Sequence, residues 1–177
     1  LLVGCLTLVS VLVSRGRAAS RADEASRELF SARTSANLSI LRERFGSLPV
    51  APLIMIRQAQ AQFSEGTYDA AKTTCADFLK SYPGHKLAPV AELGLIMCQE
   101  ATRDSSQIQA ALQAFTDFAA RHKDSFMAGE AVFGRGRCLE QLGKLEEARH
   151  VYEEFKVNNP DSAWKRRADE ALAAVEN

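Results

Sequence analysis

The chain has 177 residues and a mass of 19.4 kDa, enough for one sizeable core, and its 46% hydrophobic and 25% charged content is that of a folded protein. Twenty-two basic residues balance twenty-two acidic ones, so no overall field favours a polyanion, and nucleic-acid binding would need a local patch. The one short basic run, Lys165-Arg166-Arg167, reads as a solvated helix face.

From Leu1 to Val13 the chain is apolar except for Thr7 and Ser10, and the run stops at Ser14-Arg15-Gly16-Arg17. A spanning helix needs about 20 apolar residues, and the sequence opens on Leu rather than Met, so residues 1–14 are read as the end of a longer, retained single-pass membrane anchor. A cleaved signal peptide would want a small-x-small site soon after the run, yet Arg15 and Arg17 stand before Ala18 and Ala19. Leu2-Val3-Gly4-Cys5 hints at a lipoprotein signal, although eight mostly apolar residues follow Cys5. Arg15, Arg17 and Arg21 would by themselves favour the cytoplasmic side, but only one flank is there to compare, so topology stays open. Residues 15–36 read as a helical linker.

Beyond residue 36 the chain repeats itself. Val50-Ala51-Pro52, after Leu41 to Ser47, returns as Leu87-Ala88-Pro89 after Phe78 to Gly84, so Ala51 maps onto Ala88. A larger shift carries Gly66-Thr67-Tyr68-Asp69-Ala70-Ala71 onto Gly143-Lys144-Leu145-Glu146-Glu147-Ala148 and Pro83 onto Pro160. The predicted units are a half repeat at 37–49, repeats at 50–86, 87–125 and 126–160, and a capping helix at 161–177.

Each full repeat predicts two helices. In the first, the second helix has its apolar stripe at Tyr68, Ala71, Cys75, Phe78 and Leu79, and Pro83-Gly84 closes it. The middle repeat has Ile108, Ala111, Leu112, Phe115 and Phe118, with about three extra residues near Arg103-Asp104-Ser105 expected in its inter-helix turn. In the last, a helix from Ala131 to Leu142 ends at Gly143, and its partner from Leu145 to Val157 has its stripe at Leu145, Ala148, Val151, Tyr152 and Phe155. Asp161 or Ser162 is expected to cap a final helix from Ala163 to Val175.

Small residues recur in register: Ala71, Ala111 and Ala148 on the second helices, and Ala61, Cys98 and Cys138 on the first. Larger side chains there would hold the paired helices apart. With no C-x-x-C pair and no His at ligand spacing, Cys75, Cys98 and Cys138 read as small buried hydrophobes rather than a disulfide framework or a zinc site. A single hairpin of this size cannot bury its stripe alone, whereas adjacent units share a core.

Gly66-x-Tyr68-Asp69-x-Ala71 and Gly143-x-Leu145-Glu146-Glu147-Ala148, followed by Pro83 and Pro160, resemble the tetratricopeptide repeat; Lys123 stands for the proline in the middle unit. The turns Tyr82-Pro83-Gly84-His85 and Asn159-Pro160-Asp161-Ser162, together with the apolar N-terminus, are similar to the YfgM-like ancillary subunits of the bacterial Sec translocon. The resemblance implies an all-α, right-handed solenoid of helical hairpins with an N-terminal membrane helix. It implies a single-pass inner-membrane protein with periplasmic repeats. Its role would be that of a protein-interaction module, translocon-associated or chaperone-like, whose partners are translocon subunits or exported or unfolded polypeptides.

In such arrays first-helix side chains line the concave face, which places Leu53, Ile56, Gln60 and Phe63, then Val90, Leu93 and Met97, then Glu130, Phe133 and Arg137 in a protein-binding groove. Met and Phe there would suit an apolar segment. That these residues pack instead against neighbouring helices stays open. The alternative role is a structural scaffold, self-associating through the terminal helix with Trp164, or a lipoprotein component of an outer-membrane assembly or envelope-spanning complex. An enzyme is not expected. His85, His122 and His150 lie in separate units, no nucleophile or phosphate-loop motif is present, and Gly134-Arg135-Gly136-Arg137 falls mid-helix with no strand before it. No cofactor, metal, nucleic acid or small-molecule substrate is implied.

Overall fold

The computed structural model describes residues 19–175. Among these, all regular structure is helical: α1 (residues 19–31), α2 (Ser35–Phe45), α3 (Ala51–Ser64), α4 (Tyr68–Ser81), α5 (Ala88–Ala101), α6 (Ser105–Arg121), α7 (Phe126–Gln141), α8 (Leu145–Asn158) and α9 (Lys165–Val175). The chain divides after Leu87 into two compact units, the first holding α1 to α4 and the second α5 to α9. The membrane segment read at 1–14 lies outside the described residues. Within them, no helix is long and apolar enough to cross a membrane.

In unit 1, α1 is more than a linker. Its Ala25 and Leu29, with Ala32 just beyond it, join Leu38, Leu41 and Phe45 of α2 and Ile54 of α3 in one buried cluster. Residues 19–45 are therefore a paired hairpin, where the sequence suggested a connector and half a repeat. Two polar clamps fix it to α3. Arg57 donates to the carbonyls of Leu29 (2.6 Å) and Ala32 (3.1 Å), satisfying acceptors that a helix end leaves open. The Glu65 carboxylate accepts from the Ser35 amide (2.9 Å) and hydroxyl (2.5 Å) at the start of α2. In the α3/α4 hairpin, Ala71, Cys75 and Phe78 are buried, and the buried Thr74 hydroxyl donates to Gln62 at 2.8 Å.

Unit 2 has two core clusters. Leu93, Ile96, Ile108, Ala111, Phe115, Phe118, Ala131 and Cys138 fill the space among α5, α6 and α7. Phe133, Leu139, Ala148, Val151, Tyr152, Phe155 and Ala168 do so among α7, α8 and α9. The large rings dominate, since burying an aromatic side chain of this size contributes roughly 1.5–3 kcal/mol. Of the in-register small residues, Ala71, Ala111, Ala148, Cys98 and Cys138 are buried, while Ala61 is half-buried against the cluster of unit 1. Gly134 and Gly136 are packing glycines. A Cβ at Gly134 would stand 2.5 Å from the Phe115 ring, and one at Gly136 would collide with the Tyr152 ring. Leu145 departs from its expected stripe: at 49% exposure it lies at the rim of α8, one turn ahead of the first buried position, Ala148.

The turns explain the remaining boundary differences. In α3 and α7 the C-terminal glycine adopts a left-handed conformation, Gly66 at φ 76° and Gly143 at φ 72°. The crossed bonds Thr67 N to Gln62 O and Gly66 N to Phe63 O, repeated as Lys144 N to Leu139 O and Gly143 N to Glu140 O, close both ends. In the middle repeat Arg103 takes the same place at φ 58°. The three added residues of that repeat do not swell its turn. They lengthen α6 to 17 residues against 14 in α4 and α8, because Asp104 accepts from the Ser106 and Gln107 amides and starts the helix there. Likewise the Ser125 hydroxyl, accepting from the Met127 amide at 3.2 Å, starts α7 five residues before Ala131. Ser162 accepts from the Trp164 amide ahead of α9.

Candidate protein-binding faces

On α3 of unit 1, Leu53 and Gln60 are exposed and Phe63 is half-buried, its ring edge-on to Tyr68 at 5.1 Å. Ile56, expected on the same face, is only 5% exposed and belongs to the core. On α5 of unit 2, Val90 and Met97 are half-buried, but Leu93 is 6% exposed and packs in the first core cluster. On α7, Phe133 is 2% exposed, sandwiched by Tyr152 (5.7 Å), Phe155 (5.2 Å) and Trp164 (5.7 Å). Ile56, Leu93 and Phe133 are thus corrected from groove to core. Each is an interior member of its helical stripe, and its side chain is taken up by the core.

The charged members of the expected set organise what remains. Arg137 donates to both oxygens of Glu100, from Nε at 2.7 Å and Nη2 at 2.8 Å, tying α7 to α5. Gln141 adds a third bond to Glu100 at 3.2 Å. Arg137 Nη1 also reaches Glu130 at 3.4 Å, and Arg167 of α9 holds Glu130 through both of its terminal nitrogens, at 2.5 and 3.1 Å. The Arg167 guanidinium lies 4.8 Å over Phe133 and 5.1 Å over Trp164, so the network also lids the aromatic core.

Two carboxylates and two guanidiniums alternate here, and their charges cancel. Burial opposes the charge on Arg137, yet the hydrogen-bonded Glu100 carboxylate and then Glu130 outweigh it and hold the guanidinium above its ordinary range. The neighbouring Cys138 thiol is pushed up to about 12, by burial first and then by the Glu100 charge, with Arg137 opposing. Burial, and then a hydrogen bond donated to Glu140 at 2.5 Å, raises the Tyr152 phenol as well.

Glu100, Gln141 and Arg167 were not among the expected site residues. Glu100 and Gln141 continue the Met97 and Arg137 stripes by one helical turn, which was the available signal. Arg167 carried none beyond its place in a basic run. Trp164, the residue that suggested self-association, is engaged within its own chain, against Phe126 at 4.8 Å and in the space a Cβ on Gly129 would need. Among the described residues no three His, Cys, Asp or Glu side chains are placed to hold a metal.

Residues 54–85 match one tetratricopeptide-repeat model and residues 101–163 match a second. The chain carries tetratricopeptide repeats. The matches cover the α3/α4 hairpin and the stretch from the α5/α6 turn through α8, the segments where Ala71, Ala111 and Ala148 sit between paired helices. No curated protein matches the chain. Tetratricopeptide hairpins serve as protein-interaction modules.

Proposed function

We propose that this tetratricopeptide protein is held at the bacterial inner membrane by residues 1–14 and displays its repeats in the periplasm. There the first-helix faces bind exposed apolar segments of exported or unfolded polypeptides close to the translocon. The observation that carries the binding part is the self-neutralised network Glu100–Arg137–Glu130–Arg167. With its charges matched internally, that face of unit 2 offers an incoming chain Val90 and the adaptable thioether of Met97 rather than an unsatisfied ion. The apolar run from Leu1 to Val13, stopped by Arg15 and Arg17, supports the tether.

A photoreactive residue at Met97 of the full chain, in intact cells, tests the binding reading: it should crosslink to polypeptides in export, and combining Val90→Asp with Met97→Asp should abolish partner recovery. A folded double variant that keeps the same partners rejects it. Phe133 is unsuited to this test, because a charge placed there would disrupt the core. Membrane fractionation tests the tether, since a chain lacking residues 1–14 should move to the soluble fraction. Protease accessibility in spheroplasts tests the periplasmic placement, which complete protection would reject.

A further inference from the structure

Arg135 lies two residues before Arg137, about 200° around α7 from the charge network, and lines a separate cleft bounded by α6 and α8. The cleft has a volume of about 530 Å³ and an apolar floor of Leu112 and Leu139, within the roughly 300–1,000 Å³ of ordinary ligand clefts. We propose that it docks a segment of a partner protein that sets an apolar side chain on Leu112 and Leu139 and an aspartate or glutamate carboxylate against Arg135.

Charge complementarity carries the assignment. Arg135 is half-buried and has no hydrogen-bond or ion-pair partner among the described residues. The two acids on the rim do not supply one. Glu146 is held by Arg149 at 2.7 Å and Glu147 by Lys144 at 3.2 Å, both cations of α8 or its cap, while His150 lies 4.0 Å from Glu154. The cleft is thus left with one unmatched guanidinium, partly desolvated, beside an apolar floor. A guanidinium presents a planar fork that a carboxylate fills with two parallel hydrogen bonds. Glu146 and Glu147, which line the same cleft, disfavour a polyanion such as nucleic acid, whereas a single carboxylate next to a Leu, Ile, Phe or Met satisfies both the charge and the floor. This site is independent of the Val90 and Met97 face.

The test is to pan a phage-displayed random peptide library on the full chain. Binders are then resynthesised with acetylated and amidated ends, so that only side-chain carboxylates remain, and their affinity is measured by fluorescence anisotropy. The enriched sequences should carry Asp or Glu within four residues of a large apolar side chain. Their affinity should fall at least about tenfold for Arg135→Gln and stay within about twofold for Met97→Asp, the fold of both variants verified by circular dichroism. Panning the Arg135→Glu variant should switch the enriched charge to Lys or Arg. Recovery of no peptide, of peptides without an acid, or of peptides that bind Arg135→Gln as tightly as wild type overturns the proposal. Peptides that lose affinity only for Met97→Asp also overturn it while supporting the first-helix face.

Discussion

At Gly136 and Arg103 the backbone and the space around it conflict with the usual preference scale in opposite senses. Glycine inside a helix costs about 1 kcal/mol relative to alanine, so Gly136→Ala would ordinarily stabilise α7. Here the added methyl would collide with the ring of Tyr152, which is buried and tied to Glu140 and has nowhere to swing. Overpacking of this kind costs about 1–3 kcal/mol, so the thermal midpoint of Gly136→Ala should fall. Arg103 is the reverse case. Its φ of 58° is one that L residues adopt at a cost of about 1–2 kcal/mol, and the equivalent positions in the flanking repeats are Gly66 and Gly143. Arg103→Gly relieves the strain but gives the unfolded chain more freedom, leaving a net gain of about 0.5–1 kcal/mol, readable as a higher urea midpoint at unchanged slope.

At the scale of elements, the link between α5 and α7 depends on Glu100, a carboxylate only 7% exposed that takes three side-chain hydrogen bonds. Glu100→Gln keeps the shape but removes the charge and turns one acceptor into a donor facing Arg137. A charge-assisted bond of this kind is worth about 1.5–3 kcal/mol, and the partial exposure of Arg137 lets water recover part of it. A loss of about 1–2 kcal/mol in urea unfolding is expected, and an unchanged midpoint would show that the pair only breaks even. Sequence patterns could not reveal this bond, because Glu100 and Arg137 are 37 positions apart and each alone looks like an ordinary solvated residue. The hairpins themselves were legible, since Ala71, Ala111 and Ala148 recur in register and small side chains let paired helices approach closely. The order within each apolar stripe was not. Spacing brings Val90, Leu93 and Met97 onto one side of α5, but how far each meets α6 and α7 is decided by the neighbours: Leu93 does so fully and Met97 in part. The helix of α1 was expected but its packing was not, because Leu29 is the one large side chain that it and the adjoining Ala32 give to the core beside two alanines, too weak an amphipathic signal to distinguish a packed helix from a linker.

For the whole molecule, the buried thiol and phenol set a limit at alkaline pH. In the unfolded chain a cysteine loses its proton near pH 8.5 and a tyrosine near 10. The folded chain holds the Cys138 proton to about 12 and raises the Tyr152 phenol above its ordinary range. Below about pH 8.5 both groups are protonated in either state and contribute no pH dependence. Above it the unfolded state binds fewer protons, so stability declines with rising pH, for Cys138 between about 8.5 and 12. Thermal midpoints should therefore drop from pH 9 upward, and Cys138→Ala should flatten part of that drop. At pH 8.5 iodoacetamide should leave Cys138 unmodified in the folded protein and label it in urea, as peptide mapping would show.

Gly129, Gly134 and Gly136 give α7 a poor intrinsic helix, short by roughly 3 kcal/mol against alanine at the same places. What compensates is foreign to it: the ring of Phe115 comes from α6, that of Tyr152 from α8 and that of Trp164 from the approach to α9. The central helix of unit 2 therefore owes its stability to the rings packed on it and should not hold its shape without them. Its amides should lose hydrogen-exchange protection together with those of α6 and α8, as one cooperative block.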